Sequence, residues 1–500
     1  MVKPLARCVM VQGTASSVGK SVVATALCRI LRDEGLRVAP FKAQNMSLNA
    51  AVTAAGEEIG RAQAAQADAA GVTPTAAMNP ILLKPQGDGV SQLVVLGRAR
   101  GTVAARDYWR RRADLWPVVT ESLRALRREF EVVVIEGAGS PAEVNLRHND
   151  LANMRVALAS RASVLLVADI ERGGVFAQVH GTLSLLRPAE RALVRGVLVN
   201  KFRGDAALFA PGVRALRRLA RVPVFGVLPY VDDLPVPAED SLSLDAAARE
   251  GALDVVVIRY PHVSNFDDFG PLAAAGARVR YVRDPAELGV PDMVVLPGSK
   301  TTIEDLEWLR ASGVAAQVLR LRDAGVPVMG ICGGFQMLGE ELADPRGVEG
   351  PATIVRGLAL LPVRTVFTGE KRTVRVHGRV AAGGVFTSLA GMSFDGYELH
   401  VGETARDGCQ PFAELARNAA AGDQDGAVSA DGRVIGTYVH GIFGRDDLRD
   451  AVLGALARRR GIAFVPRSSA PDPYADLARW FRAAVDTPRL LAAVGVGSHG

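Results

Sequence analysis

Cysteine is scarce in this sequence, and none of it is paired by spacing. Cys8, Cys28, Cys332 and Cys409 are the only four in 500 residues, and they form no C-x-x-C motif, which argues against a disulfide or zinc framework. Long apolar runs are missing too. None approaches the ~20 residues of a membrane-spanning helix, and the first apolar stretch meets a glycine-rich loop too soon for a signal peptide. The expectation is a cytoplasmic protein with no membrane insertion. Charge of one sign is also lacking, since 59 Lys and Arg stand against 53 acids for a net +6. The densest basic runs, 110–112 and 458–460, have no interleaved aromatics and read as solvated helix faces, so no nucleic-acid partner is expected. No repeat of fixed period is present.

What is there is the composition of a well-packed globular chain, 49% hydrophobic and 22% charged. At roughly 100 to 200 residues per domain, the length calls for two large units. Short β-branched runs at 8–11, 132–135, 164–167 and 197–199 alternate with amphipathic stretches, the α/β pattern of a buried parallel sheet with helices on both faces. A segment rich in Pro, Asp and Ser follows Pro229 and reads as a linker over 233–251. A second series of strands, 255–258, 279–282, 294–296 and 328–331, opens another α/β unit over 252–447. Strands at 353–439 are expected to be short and glycine-rich, and 448–500 to form a helical tail.

The first unit, 1–232, carries a phosphate-binding signature. GTASSVGKS runs from Gly13 to Ser21 between an apolar strand and a helix predicted at 22–33, the context a P-loop requires. Backbone N–H groups from Gly13, Thr14 and Gly19 can surround phosphate oxygens, Lys20 can neutralise terminal phosphates, and the Ser21 hydroxyl can ligate Mg2+. Five residues separate Gly13 from Gly19, one more than in the common form. Glu136 ends the strand VVVIE, where open α/β sheets bind ligands, and is either a second Mg2+ ligand or a turn carboxylate. Asn200 follows another strand and is a candidate for the purine edge, with Asp205 nearby in the manner of a base-recognition loop.

The second unit carries a cysteine on a turn. In VPVMGICGGFQMLG, Gly330, Cys332 and Gly334 have the spacing of a nucleophile elbow, in which the glycines permit a strained turn and the following helix favours thiolate. His440, after a strand-like run, is the candidate base. Gly298 and Ser299 in LPGSK, with Gly333 and Gln336, are candidates for an oxyanion hole and glutamine-binding pocket. Cys8 and Cys28 read as inert core residues.

Taken together, these features resemble the cobyric acid synthase family over nearly the whole chain. GTASSVGKS resembles the lengthened P-loop of the dethiobiotin synthetase group, and APFKAQNMS, EIGRAQAAQADAAG, MNPILLKP, VIEGAGSPAE and NKFRGD resemble family motifs. LPGSKTTIEDLEWLR, GICGGFQMLG, GYELHVGET and GTYVHGIF resemble its class I glutamine amidotransferase domain. The resemblance implies a P-loop NTPase-like parallel-sheet synthetase domain followed by a class I glutamine amidotransferase-like α/β domain. It implies ATP, Mg2+ and L-glutamine as nitrogen donor, with a corrinoid as substrate: the b, d, e and g carboxylates of adenosylcobyrinic acid a,c-diamide would be amidated. Lys42, Gln44, Asn45 and Lys84 are the candidates for carboxylate or phosphate contacts. The competing readings are a cobyrinic acid a,c-diamide synthase, which usually has F-K-x-G-P-D where this chain has FKAQNM, another glutamine-dependent amide ligase, and a partitioning-type nucleotide-switch ATPase. The acid of the wider class, two residues beyond the histidine, is replaced by Ile442. His440 is therefore oriented by a backbone carbonyl or by an acid elsewhere, Glu398 among them.

Overall fold

The computed structural model describes residues 4–87, 89–231, 250–417, 420–467 and 472–496. Its first sheet has six strands, all parallel, in the order Val224–Pro229, Val194–Phe202, Ser163–Asp169, Arg7–Gly13, Val132–Glu136, Val38–Phe41. Strand Arg7–Gly13 is buried on both faces, so alternate residues feed two cores: Cys8 and Met10 enter one, Val9 and Val11 the other. A four-stranded sheet built on Gln44–Met46, Ile81–Pro85, Val90–Val95 and Arg98–Ala104 is added at one end. The expected linker lies outside the described residues except for its last two positions.

The second sheet runs Arg278–Val282, Asp254–Ile258, Met293–Leu296, Val328–Ile331, Val434–Thr437, Ala427–Val428, parallel except for the last strand. Beside it lies a seven-stranded sheet whose spine is two long strands, Val363–Val380 and Ser393–Arg406. This corrects the expectation of short strands. Glycines at 378 and 396 do not interrupt the ribbon; a side chain at Gly378 would strike the Phe394 ring, and one at Gly396 would strike Val439, so they mark close packing within strands.

The helical tail divides between the two units. Helix Asp446–Arg460 packs Leu448, Val452, Leu453 and Leu456 into the core of the second unit. Helices Pro473–Ala484 and Thr487–Ala493 cross back to the first, where Leu477, Phe481, Leu490 and Leu491 join the core around the P-loop helix, Lys20–Asp33. Arg29 and Asp472 form an ion pair at that seam, and Arg482 reaches Asp33 at 3.1 Å. A smaller apolar cluster also joins the units directly, with Ala50, Val52, Leu82 and Val94 packed against Tyr397 and Leu399. No helix among the described residues is long and apolar enough to cross a membrane.

Candidate functional site

Two sites arise at the C-terminal ends of parallel strands. The first follows Arg7–Gly13. Ser17 and Gly19 both take left-handed backbone angles, φ 57° and φ 98°, the kind of turn in which successive N–H groups can face an anion. Gly13 is required by close approach, since a Cβ there would lie 2.5 Å from a Val18 methyl and 2.9 Å from the Ala15 carbonyl. Lys20 opens the following helix and donates to the carbonyls of Ala15 (3.1 Å) and Gly139 (3.0 Å). The loop borders a cavity of about 610 Å³ lined by Gly19, Lys20, Ser21, Lys42, Gln44 and Asn45, among others.

Glu136 is fully buried behind Ser21 and Lys42 of the cavity wall. It accepts from Ser21 Oγ (2.8 Å), Lys42 Nζ (2.9 Å) and Gln66 Nε2 (2.5 Å). Burial alone would raise its pKa, but the Lys42 ammonium and these hydrogen bonds outweigh it and hold the carboxylate ionised. Ser21 and Glu136 are therefore hard oxygen donors within hydrogen-bond distance of each other, a fit for a divalent cation that takes its remaining ligands from phosphates and water.

The other candidates of this unit take varied places. Lys42 is the charge partner of Glu136 as well as a cavity wall. Gln44 accepts from the Tyr108 hydroxyl at 2.6 Å, and Asn45 donates to Gln63 at 2.9 Å. Thr14 donates to Gln178 at 3.1 Å. Asn200 donates to the Val18 carbonyl at 2.8 Å, and a Cβ on Gly19 would collide with that amide, so one of its two amide hydrogens is spent on the loop backbone. Asp205 likewise caps the turn at Ala207, at 2.8 Å. Lys84 is the largest departure. It lines the cavity of the second site, not that of the P-loop.

That second site follows Val328–Ile331. Cys332 sits at φ 53°, ψ −112°, a conformation costing about 1–3 kcal/mol in a residue with a side chain. The turn is possible because Gly334 lies against the Leu296 carbonyl, where any Cβ would collide. Gly333 packs on the other side, and a Cβ there would be 2.9 Å from the Ser299 nitrogen. Gly298–Ser299 pairs antiparallel with Val263–Ser264, and a Cβ on Gly298 would be 3.1 Å from His440 Cε1. The loop with Gly298 and Ser299, the elbow and the histidine thus converge on one point. Gln336 is buried beside them, donating to the Val401 carbonyl (2.9 Å) and the Tyr438 hydroxyl (3.1 Å).

Cys332 Sγ donates to the Leu399 carbonyl at 3.6 Å. His440 lies close enough for the two to interact electrostatically, and its Nδ1 is 2.7 Å from Asp268 Oδ2, while Asp268 Oδ1 accepts the Gly441 N–H at 2.9 Å. Burial opposes the imidazolium, yet Asp268 and Cys332 together push the His440 pKa up to about 10. The expectation about Glu398 is corrected here: its carboxylate is held by Arg417, at 2.5 and 2.8 Å, and plays no part in orienting His440. The sequence offered only the acidic pair of NFDDFG as a signal for Asp268. Nothing in its spacing tied that pair to a histidine 172 residues away.

Three ammonium groups and the Glu349 carboxylate line the same cavity, and the Glu58 carboxylate pairs with two of the three. Glu58 pairs with Lys84 (2.7 Å) and with Lys371 (2.5 Å), so one carboxylate of the first unit joins lysines from both. Lys300 is pushed down to about 8 by burial and by Lys371 and Lys84. Glu349, nearby, is pushed up to about 7 by burial. Of these five residues, only Lys84 was anticipated.

Comparison with known proteins agrees with this two-site architecture. Residues 9–244 match the CobQ/CobB/MinD/ParA nucleotide binding domain, and residues 254–448 match the CobB/CobQ-like glutamine amidotransferase domain. A cobyric acid synthase of Pelotomaculum thermopropionicum is 52% identical, over 92% of this chain and 89% of that one. One from Dehalococcoides mccartyi is 44% identical over 99% of both, and one from Sorangium cellulosum is 48% identical over 98% of both. With a nucleotide-binding unit, a glutamine amidotransferase unit and this identity along its length, the chain belongs to the cobyric acid synthase family and is a glutamine-dependent carbon–nitrogen ligase.

Proposed function

We propose that this enzyme amidates the b, d, e and g carboxylates of adenosylcobyrinic acid a,c-diamide, using ATP and glutamine-derived ammonia, to give adenosylcobyric acid. The observation that carries the reading is the presence, on one chain with full-length relatives named for cobyric acid, of a P-loop cavity and of Cys332 grouped with a His440–Asp268 pair. A carboxylate is a poor acyl donor, so its oxygen attacks the γ-phosphorus of ATP, the bond to ADP breaks and an acyl phosphate forms. Lys20 and the loop N–H groups hold the phosphates and offset the charge of the transferring group. Mg2+ bound through Ser21 and Glu136 would supply further charge neutralisation. Lys42 keeps Glu136 ionised for that task. Ammonia then takes the acyl carbon and phosphate leaves.

At the second site the Cys332 sulfur attacks the glutamine carboxamide, and His440, held as imidazolium by Asp268 and Cys332, passes its proton to the departing ammonia. The oxyanion formed on the amide oxygen would meet backbone N–H groups of the Gly298–Ser299 and Gly333 turns. Water then hydrolyses the thioester and glutamate leaves. Asp268 holds the imidazole in the orientation that this proton traffic needs.

Mass spectrometry of the corrinoid during turnover tests the proposal. With ATP, Mg2+ and glutamine, adenosylcobyrinic acid a,c-diamide should gain amides singly, partly amidated species should appear free in solution, and ATP consumed should rise in proportion to amides formed. No mass change with this corrinoid, alongside amidation of cobyrinic acid only at a and c, would assign the chain to the diamide synthase reaction instead.

A further inference from the structure

The segment that carries Asp268 is held in place by the other domain. Arg61, the first residue of helix Arg61–Ala70 in the nucleotide-binding unit, forms an ion pair with Asp267 at 2.6 Å. Asn49 Oδ1 accepts the Phe266 N–H at 3.2 Å, and the Ala50 carbonyl accepts from Asn265 Nδ2 at 2.8 Å. Residues 265, 266 and 267 are thus each gripped from across the domain boundary, immediately before the carboxylate that orients His440. Asn265 sits at φ 51°, a left-handed conformation that its side-chain bonds to Ala50 and to Tyr397 (2.7 Å) help to fix. The Ala50 carbonyl also accepts from the Tyr397 hydroxyl at 3.0 Å, and the Tyr397 ring stacks on His440 with centroids 5.4 Å apart.

Within this grip Arg61 is the charged member. Burial pushes the Asp267 carboxyl up, and the adjacent Asp268 pushes it the same way; Arg61 is the largest opposing influence. Without Arg61, two neighbouring carboxylates would share a buried turn with one less positive charge, and Asp267 would either take a proton or move toward water. Either response displaces the next residue, Asp268. The same helix also sends Gln66 to Glu136 at the P-loop cavity, so one helix bears on both sites.

We propose that Arg61 is a positioning residue of the glutaminase, supplied by the nucleotide-binding domain: by fixing Asp267 it keeps Asp268 in line with His440. The inference rests on the assignment of Cys332 and His440 as the glutaminase centre, so Cys332→Ala is the control, and retained glutamine hydrolysis in that variant would overturn the assignment itself. In the full-length enzyme, Arg61→Gln should lower kcat for glutamine hydrolysis about tenfold or more with KM little changed. Arg61→Lys should restore part of that loss. Asp267→Asn should match Arg61→Gln, and the double variant should be no worse than either, because both substitutions break one interaction. Amide synthesis driven by ammonium salts should stay at the wild-type rate in all of them, which also reports that they fold. Wild-type kcat in Arg61→Gln, additive losses in the double variant, or equal loss with ammonium would each overturn the proposal.

Discussion

After strand Arg7–Gly13 the chain turns over several residues and surrounds a cavity of about 610 Å³, while after Val328–Ile331 it turns on the single strained residue Cys332 in a confined setting. A loop of that form suits phosphates, which accept from several backbone N–H groups at once. The elbow was built to present one sulfur. Most groups that serve the first site lie in a few short segments, with Ser21, Lys42 and Gln66 all converging on Glu136. The second site draws on strands and loops across most of its domain, and on Asn49, Ala50, Glu58, Arg61 and Lys84 of the other. The contrast teaches that the two sites are structurally unequal: the P-loop site is largely self-contained, whereas the Cys332 site is completed by its neighbour.

Separability is the first thing to break. Cys332→Ala should lower glutamine hydrolysis by about 10⁴-fold or more while synthesis from ammonium salts at alkaline pH continues. Lys20→Ala should do the converse, abolishing synthesis from either donor while Cys332 still reacts with a glutamine-like alkylator. Equal loss of both nitrogen donors in Cys332→Ala, or normal ATP turnover in Lys20→Ala, would contradict the division of labour. A smaller effect, about 10³-fold on glutamine-dependent kcat, is expected for Asp268→Asn, which leaves the sulfur in place but removes the group that supports and orients the imidazole. If Glu398→Gln did the same, the assignment of the orienting acid would be wrong.

The smallest effect sharpens the claim of unequal construction. Glu58→Gln leaves the buried ammoniums of Lys84 and Lys371 without their carboxylate, and urea unfolding at pH 7 should show a loss of about 3 kcal/mol. Burial alone would raise the Glu58 pKa, but Lys371 and Lys84 bring it down from 4.5 to about 2. Because the folded-state value is depressed, this stabilisation is whole above about pH 4.5 and is lost as pH falls from there toward 2. The gap between wild type and variant should narrow through that window. A gap that stays constant would mean that the pair contributes packing and no charge stabilisation.

Much of this enzyme was legible in its sequence because the physical requirements were local. A phosphate loop needs small residues between a buried strand and a helix, and Gly13, Gly19 and Lys20 stand together for that reason. The elbow needs Gly330 and Gly334 around Cys332 within a few residues. Both parallel sheets announce themselves as β-branched runs, since strands covered on two faces cannot alternate with polar residues. The long ribbon of Val363–Val380 and Ser393–Arg406 was less legible, because glycines that admit neighbouring rings read the same as glycines that break strands.

What only the tertiary structure decided is which distant charges meet. Asp268 and His440 lie 172 residues apart, and an Asp that orients a ring leaves the same letter in the chain as one that caps a turn. Lys84 has the look of a phosphate contact until Ile81–Pro85 carries it to the glutaminase cavity, where Glu58 and Lys371 meet it. The tail is plainly helical in sequence, but its apolar faces do not say which domain they cover. Backbone conformation is set by neighbours along the chain, whereas a charge pair acts through space over a few ångströms, and that distance exists only once the remote segments have packed.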